Sequence, residues 1–290
     1  MTGTADQSGL WLTDFDGTIK PLDHRAKVSP EDLSALKRLK AEGWVRAVVT
    51  GRSLFSFALA WEPGLELDWL IFSSGAGLCS WSPMGPGPLL DSRAFRPPEA
   101  ESALTAALNL DFGFFAYLAP PDSHHFYYLA PPAPAPEGFR RRLKTFAPQG
   151  RPFPADFLDR PPARRPILSQ VLLMIPAPQA ARAGAELDRA RLSWLSSASP
   201  FDDGCRWLEI LPPGVSKGRA AAALAERLGL DRSRTAATGN DYNDQDLLDW
   251  VGRAFVTRDA PPDLLARHRP IAPAGQGGLA EAVALALAEI

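Results

Sequence analysis

Two cysteines in 290 residues, Cys79 and Cys205, are too few for a disulfide framework or a thiolate metal site, so both are read as buried thiols. An excess of one charge is also missing. The 31 basic and 33 acidic residues leave a formal net charge of -2, which offers nothing to nucleic acid or to an anionic membrane surface. No apolar run approaches the roughly 20 residues of a spanning helix, and Met1 to Leu10 lacks a basic segment followed by an apolar one. A cytoplasmic protein with neither membrane nor nucleic acid partner is the expectation; nothing here speaks to oligomeric state. Hydrophobic residues, at 46%, are plentiful, and the length suits two domains. The 29 prolines crowd between Pro83 and Pro178, where short strand-like runs replace the helix–strand rhythm of the two ends.

Leu10 to Thr13 is short and apolar, as a buried parallel strand should be, and runs into Asp14-Phe15-Asp16-Gly17-Thr18. Ser29 followed by Pro30 predicts a helix start, Leu33, Leu36 and Leu39 share one face, and Gly43 predicts the stop. Trp44 to Val49 and Trp69 to Phe72 read as further strands, ending in Thr50-Gly51-Arg52-Ser53 and Ser73-Ser74-Gly75-Ala76. The last third repeats this pattern with an N-cap at Ser216, a helix from Ala220 to Leu228, a strand from Thr235 to Thr238 and another strand expected at Ala254 to Val256. Strand, helix, strand in alternation predicts a parallel sheet. Between these ends, Phe112 to Leu118 and His124 to Leu129 predict a β-hairpin in a different, partly antiparallel domain. The expected division is 1–77 with 212–290 as one domain and 78–211 as the insert.

Polar loops at the carboxyl ends of parallel strands converge on one crevice, where such folds bind ligands. Asp14 and Asp16, two apart, face the same side if strand geometry persists, and Gly17 permits a sharp turn after them. Asp14-Phe15-Asp16-Gly17-Thr18 resembles the first motif of haloacid-dehalogenase-like hydrolases. Thr50-Gly51-Arg52 is similar to the second, Ser216-Lys217-Gly218 to the third, and Gly239-Asn240-Asp241-Tyr242-Asn243-Asp244 to the fourth, all in the family's order. The wording looks most like the Cof-type sugar-phosphatase branch, in which a large cap lies between the second and third motifs. The resemblance implies a Rossmann-like α/β parallel-sheet core with an inserted α+β cap. It also implies a magnesium-dependent phosphatase acting on a small phosphate ester, with a sugar phosphate as the expected substrate, through an aspartyl-phosphate intermediate.

The residue types suit that chemistry. A carboxylate attacks phosphorus and splits hydrolysis into two steps, provided a hard cation offsets the repulsion between the anions. Asp14 is then the nucleophile, and Asp16 the acid that protonates the leaving oxygen and later the base for water. Thr50 and Gly51 would bind phosphoryl oxygens, with Lys217 at a helix start beside them and Arg52 contacting substrate or pairing with an acid. The fourth motif departs from the family's Gly-Asp-x-x-Asn-Asp: Asn240 offers an oxygen to magnesium without a charge, and Asp241 is the candidate to share that task with Asp14 and Asp16. By resemblance, the Asp16 backbone carbonyl ligates the metal, Asn243 contacts phosphate and Asp244 holds Lys217. The competing readings are a phosphotransferase or phosphomutase using the same intermediate, and a catalytically silent binding module. Dehalogenation is disfavoured, because it has no need of a second aspartate at Asp16. The insert is expected to set specificity. Its aromatic residues are read mainly as the apolar face of a sheet, and Arg140-Arg141-Arg142 and Arg164-Arg165 as solvated.

Overall fold

The computed structural model describes residues 7–23, 25–132, 134–198 and 204–289. The chain begins with β1 (Gly9–Thr13), α1 (Pro30–Ala41), β2 (Trp44–Val49), α2 (Leu54–Ala60), β3 (Trp69–Phe72), β4 (Gly77–Ser82) and β5 (Gly85–Ser92). It continues through α3 (Pro97–Leu110), β6 (Phe114–Leu118), β7 (Phe126–Leu129), α4 (Glu137–Thr145), β8 (Gly150–Pro152), β9 (Leu168–Pro176), α5 (Ala180–Arg189), β10 (Ser193–Ala198) and β11 (Cys205–Leu211). The remaining elements are α6 (Lys217–Leu228), β12 (Thr235–Gly239), α7 (Gln245–Trp250), β13 (Arg253–Thr257), α8 (Pro262–Leu265), β14 (Arg269–Ile271) and α9 (Gly278–Leu287). No helix among the described residues is long and apolar enough to cross a membrane.

Two compact units emerge. One comprises residues up to Arg52, Ser56–Asp91 and the chain from Ser216; the other comprises Ser53–Phe55 and Ser92–Val215. The sheet of the first runs β14-β13-β12-β1-β2-β3-β4-β5. Pairing is parallel from β14 through β3, and antiparallel between β3 and β4. β1 lies in the middle with β12 on one side and β2 on the other, so the order of strands reverses at β1 and a crevice opens beyond its carboxyl end. Alternation along β1 divides its side chains between two faces. Leu10 and Leu12 join a core with Leu224 of α6 and Leu247 of α7, while Trp11 stacks on Phe255 and meets Trp44 edge-on.

The helix signals act locally as their chemistry dictates. Ser29 Oγ accepts from Asp32 N at 3.1 Å before Pro30 opens α1. Ser216 caps α6 in the same manner through Arg219 N at 3.3 Å, and Gly229 ends it at φ +68°.

The break between units falls after Asp91 and before Ser216, whereas the change in composition had pointed to Leu78 and Leu211. The reason is the hairpin β4–β5, whose first strand pairs with β3 through Leu70 and Cys79. Its prolines, Pro86 and Pro88, lie in β5 at the sheet edge, where proline is tolerated because outward amides have no partner to lose. The second unit is a sheet of order β10-β11-β9-β6-β7-β8, antiparallel except between β7 and β8. Phe114 and Ala116 face one core, and Phe115 and Tyr117 face another with Phe139 of α4. The aromatic run is therefore mainly a two-sided strand. Arg142 is not solvated as expected: it stands over the rings of Phe115, Tyr117, Phe146 and Trp207 and donates to Tyr117 Oη at 2.8 Å.

Candidate active site

At the end of β1 the chain folds back on itself. Gly17 adopts φ +77°, its amide donates to Lys20 O at 2.7 Å, and Lys20 N donates to Phe15 O at 2.9 Å. A Cβ at Gly17 would come within 2.3 Å of the Asn240 side chain, so both the turn and the approach of the fourth loop require glycine. Asp14, the residue after β1, is 4% exposed, and its backbone amide remains bonded to Thr238 O at 2.9 Å. Its Oδ1 accepts from Lys217 Nζ at 2.6 Å and its Oδ2 from Thr18 Oγ1 at 3.0 Å.

Lys217 is the first residue of α6 and is wholly buried. Its second carboxylate partner is Asp244 Oδ1, also at 2.6 Å. Burial opposes the ammonium charge, yet Asp14 and Asp244 together hold the lysine pKa above its ordinary value. Burial, reinforced by the charge of Asp244, raises the pKa of Asp14 to about 7 against the pull of Lys217. Asp244 Oδ2 accepts from the amides of Asn240 at 2.9 Å and Asp241 at 3.3 Å, which fixes the loop after β12 to the lysine.

Asp16 turns elsewhere. Its carboxylate takes a two-point bond from Arg52, with Nε and Nη2 each at 2.7 Å, while Arg52 Nη1 donates to Ser56 O at 3.2 Å and the guanidinium stands over Phe15. Of the two roles left open for Arg52, the observed one is pairing with an acid. Thr50, just beyond β2, is 1% exposed, and its Oγ1 accepts from Arg52 N at 3.1 Å. Gly51 is exposed, and a Cβ there would make only an ordinary contact with Ser74.

Asn240 faces Asp14 Oδ2, the Asp16 carbonyl and Thr18 Oγ1, donating to each at 3.2 Å when its amide nitrogen is oriented to satisfy them. Asp241 accepts from Tyr242 N at 2.8 Å, so its carboxylate has a task in the turn Tyr242–Asp244. Asn243 lies on that same turn, half-buried. All the sequence-predicted site residues thus belong to the first unit: Asp14, Lys217, Asp244 and Asn240 form one connected cluster, Asp16 and Arg52 a pair beside it.

Three participants escaped the sequence reading. Thr18 was quoted within its motif but given no role, although it bonds the Asp14 carboxylate. Ser73 and Ser74 take positive φ, 50° and 55°, immediately after β3, and their amides brace the second loop through Arg52 O at 2.7 Å and Thr50 O at 3.1 Å. Consecutive left-handed non-glycine residues are strained, and such strain collects at ligand sites. The signal available was the polar triplet ending at Gly75, whose absent Cβ makes room for the Ser216 carbonyl.

This order of strands, with four polar loops at one end of a parallel sheet around a buried lysine and two aspartates, gives the chain the α/β fold of haloacid dehalogenase-type structures. The sequence model of the haloacid dehalogenase-like hydrolases matches residues 168–282 of this chain. It is 39% identical over 66 residues to an HMP-PP phosphatase of Cronobacter sakazakii, a segment amounting to 22% of this chain and 24% of that protein. The match thus spans about a quarter of the length of such curated relatives. A phosphatase of the haloalkanoate superfamily from Bacteroides thetaiotaomicron has the same fold at a TM-score of 0.75 and 16% identity, over 98% of this chain and 97% of its own. A subclass IIB sugar phosphatase superposes at a TM-score of 0.69 with 14% identity, over 96% and 98% of the two chains.

Proposed function

We propose that the protein is a cytoplasmic magnesium-dependent phosphatase that hydrolyses a small phosphorylated metabolite through an aspartyl phosphate on Asp14. The observation that carries this reading is the buried cluster in which one ammonium, Lys217, is shared by two carboxylates, Asp14 and Asp244, at 2.6 Å each. One positive and two negative charges leave a net negative centre that would repel a phosphate dianion. The Asp14 carboxylate and the Asp16 backbone carbonyl, brought together at the Asn240 amide nitrogen, are hard oxygen donors that suit magnesium, and Asn240 would join them by turning its amide oxygen inward. When bound, that dication would favour the ionised form of Asp14 and offset the charge of the phosphoryl group.

An Asp14 carboxylate oxygen attacks phosphorus as the bond to the leaving oxygen breaks, and Asp16 supplies the proton which that oxygen needs. Water then attacks the acyl phosphate, Asp16 accepts its proton, and Asp14 is regenerated with release of phosphate. Lys217 keeps the nucleophile in place, Thr50, Gly51 and Asn243 bind phosphoryl oxygens, and Asp244 holds the lysine. Arg52 occupies both oxygens of Asp16, so proton delivery requires it to release one. The phosphatase names of the relatives support a phosphomonoester substrate, and the sugar phosphatase with the same fold supports a sugar phosphate. The second unit is assigned the choice among substrates, because the residues above address only the phosphoryl group.

The test is a phosphate-release panel of sugar phosphates, nucleotides, HMP-PP and an aryl phosphate, with and without magnesium. Turnover should require the metal and vanish in Asp14→Asn with an unchanged circular dichroism spectrum. Asp16→Asn should lose more activity on alkyl than on aryl esters, whose leaving groups need little protonation. Substantial turnover by folded Asp14→Asn would overturn the assignment, and an isomerised or newly phosphorylated product in place of free phosphate would mark a transferase.

A further inference from the structure

The turn between β6 and β7 collects a second set of ligand-type side chains, in the second unit and with different chemistry. One donor atom from each of Asp122, His124 and His125 lies within 4.8 Å of the others. The two imidazole rings have centroids 4.0 Å apart, inclined at 42°. His124 Nδ1 is closed off from solvent and has no hydrogen-bond partner among the described residues, which is uncommon for a buried ring nitrogen. The ring itself is stacked on Phe55, with centroids 4.8 Å apart.

We propose that Asp122, His124 and His125 bind a borderline transition-metal dication such as zinc. Two imidazoles and one carboxylate form a nitrogen-rich donor set, which suits zinc and its neighbours and discriminates against magnesium. Three protein ligands leave a fourth tetrahedral position for water or another ligand. The backbone that carries them is already organised. Asp122 N donates to Ala119 O at 3.0 Å, His125 N to Asp122 O at 2.9 Å and Leu118 N to His125 O at 3.0 Å, while Ser92 Oγ secures Pro120 O at 3.3 Å. Ligand atoms bonded at about 2.0–2.2 Å in a tetrahedron stand roughly 3.3–3.6 Å apart, so the set must tighten on binding. Asp122 and His125 are exposed and can rotate to do so. Burial, followed by the neighbouring His125, lowers the pKa of His124 despite Asp122, which favours the neutral imidazole that a metal requires.

The experiment is calorimetric titration of the full-length, tag-free, EDTA-treated protein with zinc chloride in excess magnesium, added to saturate the hard-oxygen cluster proposed for it around Asp14. Cobalt serves as a spectroscopic probe, since tetrahedral coordination gives intense visible absorption. Saturable binding of one zinc per chain is expected, weakening as pH falls because protons compete with the metal for its ligands. Loss of a direct ligand should weaken binding by at least the about 10- to 100-fold that an outer-shell partner commands, in His125→Gln, Asp122→Asn and the double variant His124→Gln/His125→Gln. His125 is exposed, so its single variant should keep the parent's metal-free thermal midpoint. The proposal is overturned if the parent takes up no zinc, or if His125→Gln or the double variant binds zinc as tightly as the parent.

Discussion

Lys217 and Arg142 are cations withdrawn from water, one in each unit, and they are accommodated in opposite ways. Lys217 is completely buried between the carboxylates of Asp14 and Asp244. Arg142 is half-buried and set against four aromatic faces and the hydroxyl of Tyr117. Rings and a phenol keep the same charge distribution across the neutral range, so Arg142 behaves as a packing element. Carboxylates can lose their charge or form a bond to phosphorus. A buried cation held by such groups responds to whatever happens to them, which is a property of a reaction centre.

The largest effect should come from Lys217→Met, which leaves two carboxylates buried without their cation and should destabilise the protein by about 3–5 kcal/mol. Urea unfolding at pH 8 would measure it, and the penalty should shrink at pH 5, where protonation relieves the repulsion. An equal loss at both values would contradict the charge account.

Asp14→Asn sharpens the comparison further. The Asp14 pKa is raised from 3.8 to about 7, so the folded state holds that proton more tightly than the unfolded state. Its contribution to stability is fully present below pH 3.8 and is lost as pH climbs through about 7. In EDTA, Asp14→Asn should therefore gain on the parent steadily between pH 4 and 7. Unfolding curves that stay parallel would show that Asp14 does not titrate there.

A smaller, metal-conditional effect is expected for Asn240→Asp. A further carboxylate near Asp14 should lower the thermal midpoint in EDTA, and magnesium should restore it at lower concentrations than it stabilises the parent. An unchanged magnesium requirement would mean that another group already supplies the charge. Arg142→Met should have the least effect. It removes a cation–π contribution of about 0.5–2 kcal/mol, by the same amount at pH 5 and pH 8. A pH-dependent loss there would erase the distinction between the two cations.

The polar loops were legible because their spacing is local. Asp14, Asp16 and Gly17 stand in one turn, and Asn240, Asp241, Asn243 and Asp244 in another, so their clustering needs no knowledge of the rest of the chain. Ser29, Ser216, Pro30 and Gly229 announced helix ends for the same reason. The hairpin β4–β5 was harder, because Pro86 and Pro88 argue against a strand unless it lies at an edge, and edge position is not a local property. Arg142 was misread on similar grounds: its neighbours in sequence are charged, whereas its partners come from β6, β11 and the turn after α4.

By itself, then, the sequence determined β1, β2, β3 and β12, the helices α1 and α6, the four strand-end loops and the chemical types gathered in each. Hydrophobic period, capping and turn chemistry act over a few residues, which is why these features survive without coordinates. Only the tertiary structure decided that Asp16 would spend its carboxylate on Arg52, that Lys217, which the family resemblance had already given to Asp244, would be shared with Asp14, and that Asn240 would face Asp14. The ion pairs among these join residues 36, 203 and 27 positions apart in the chain. Which partner a buried charge finds depends on strand order and on the reversal at β1, and no local rule specifies either.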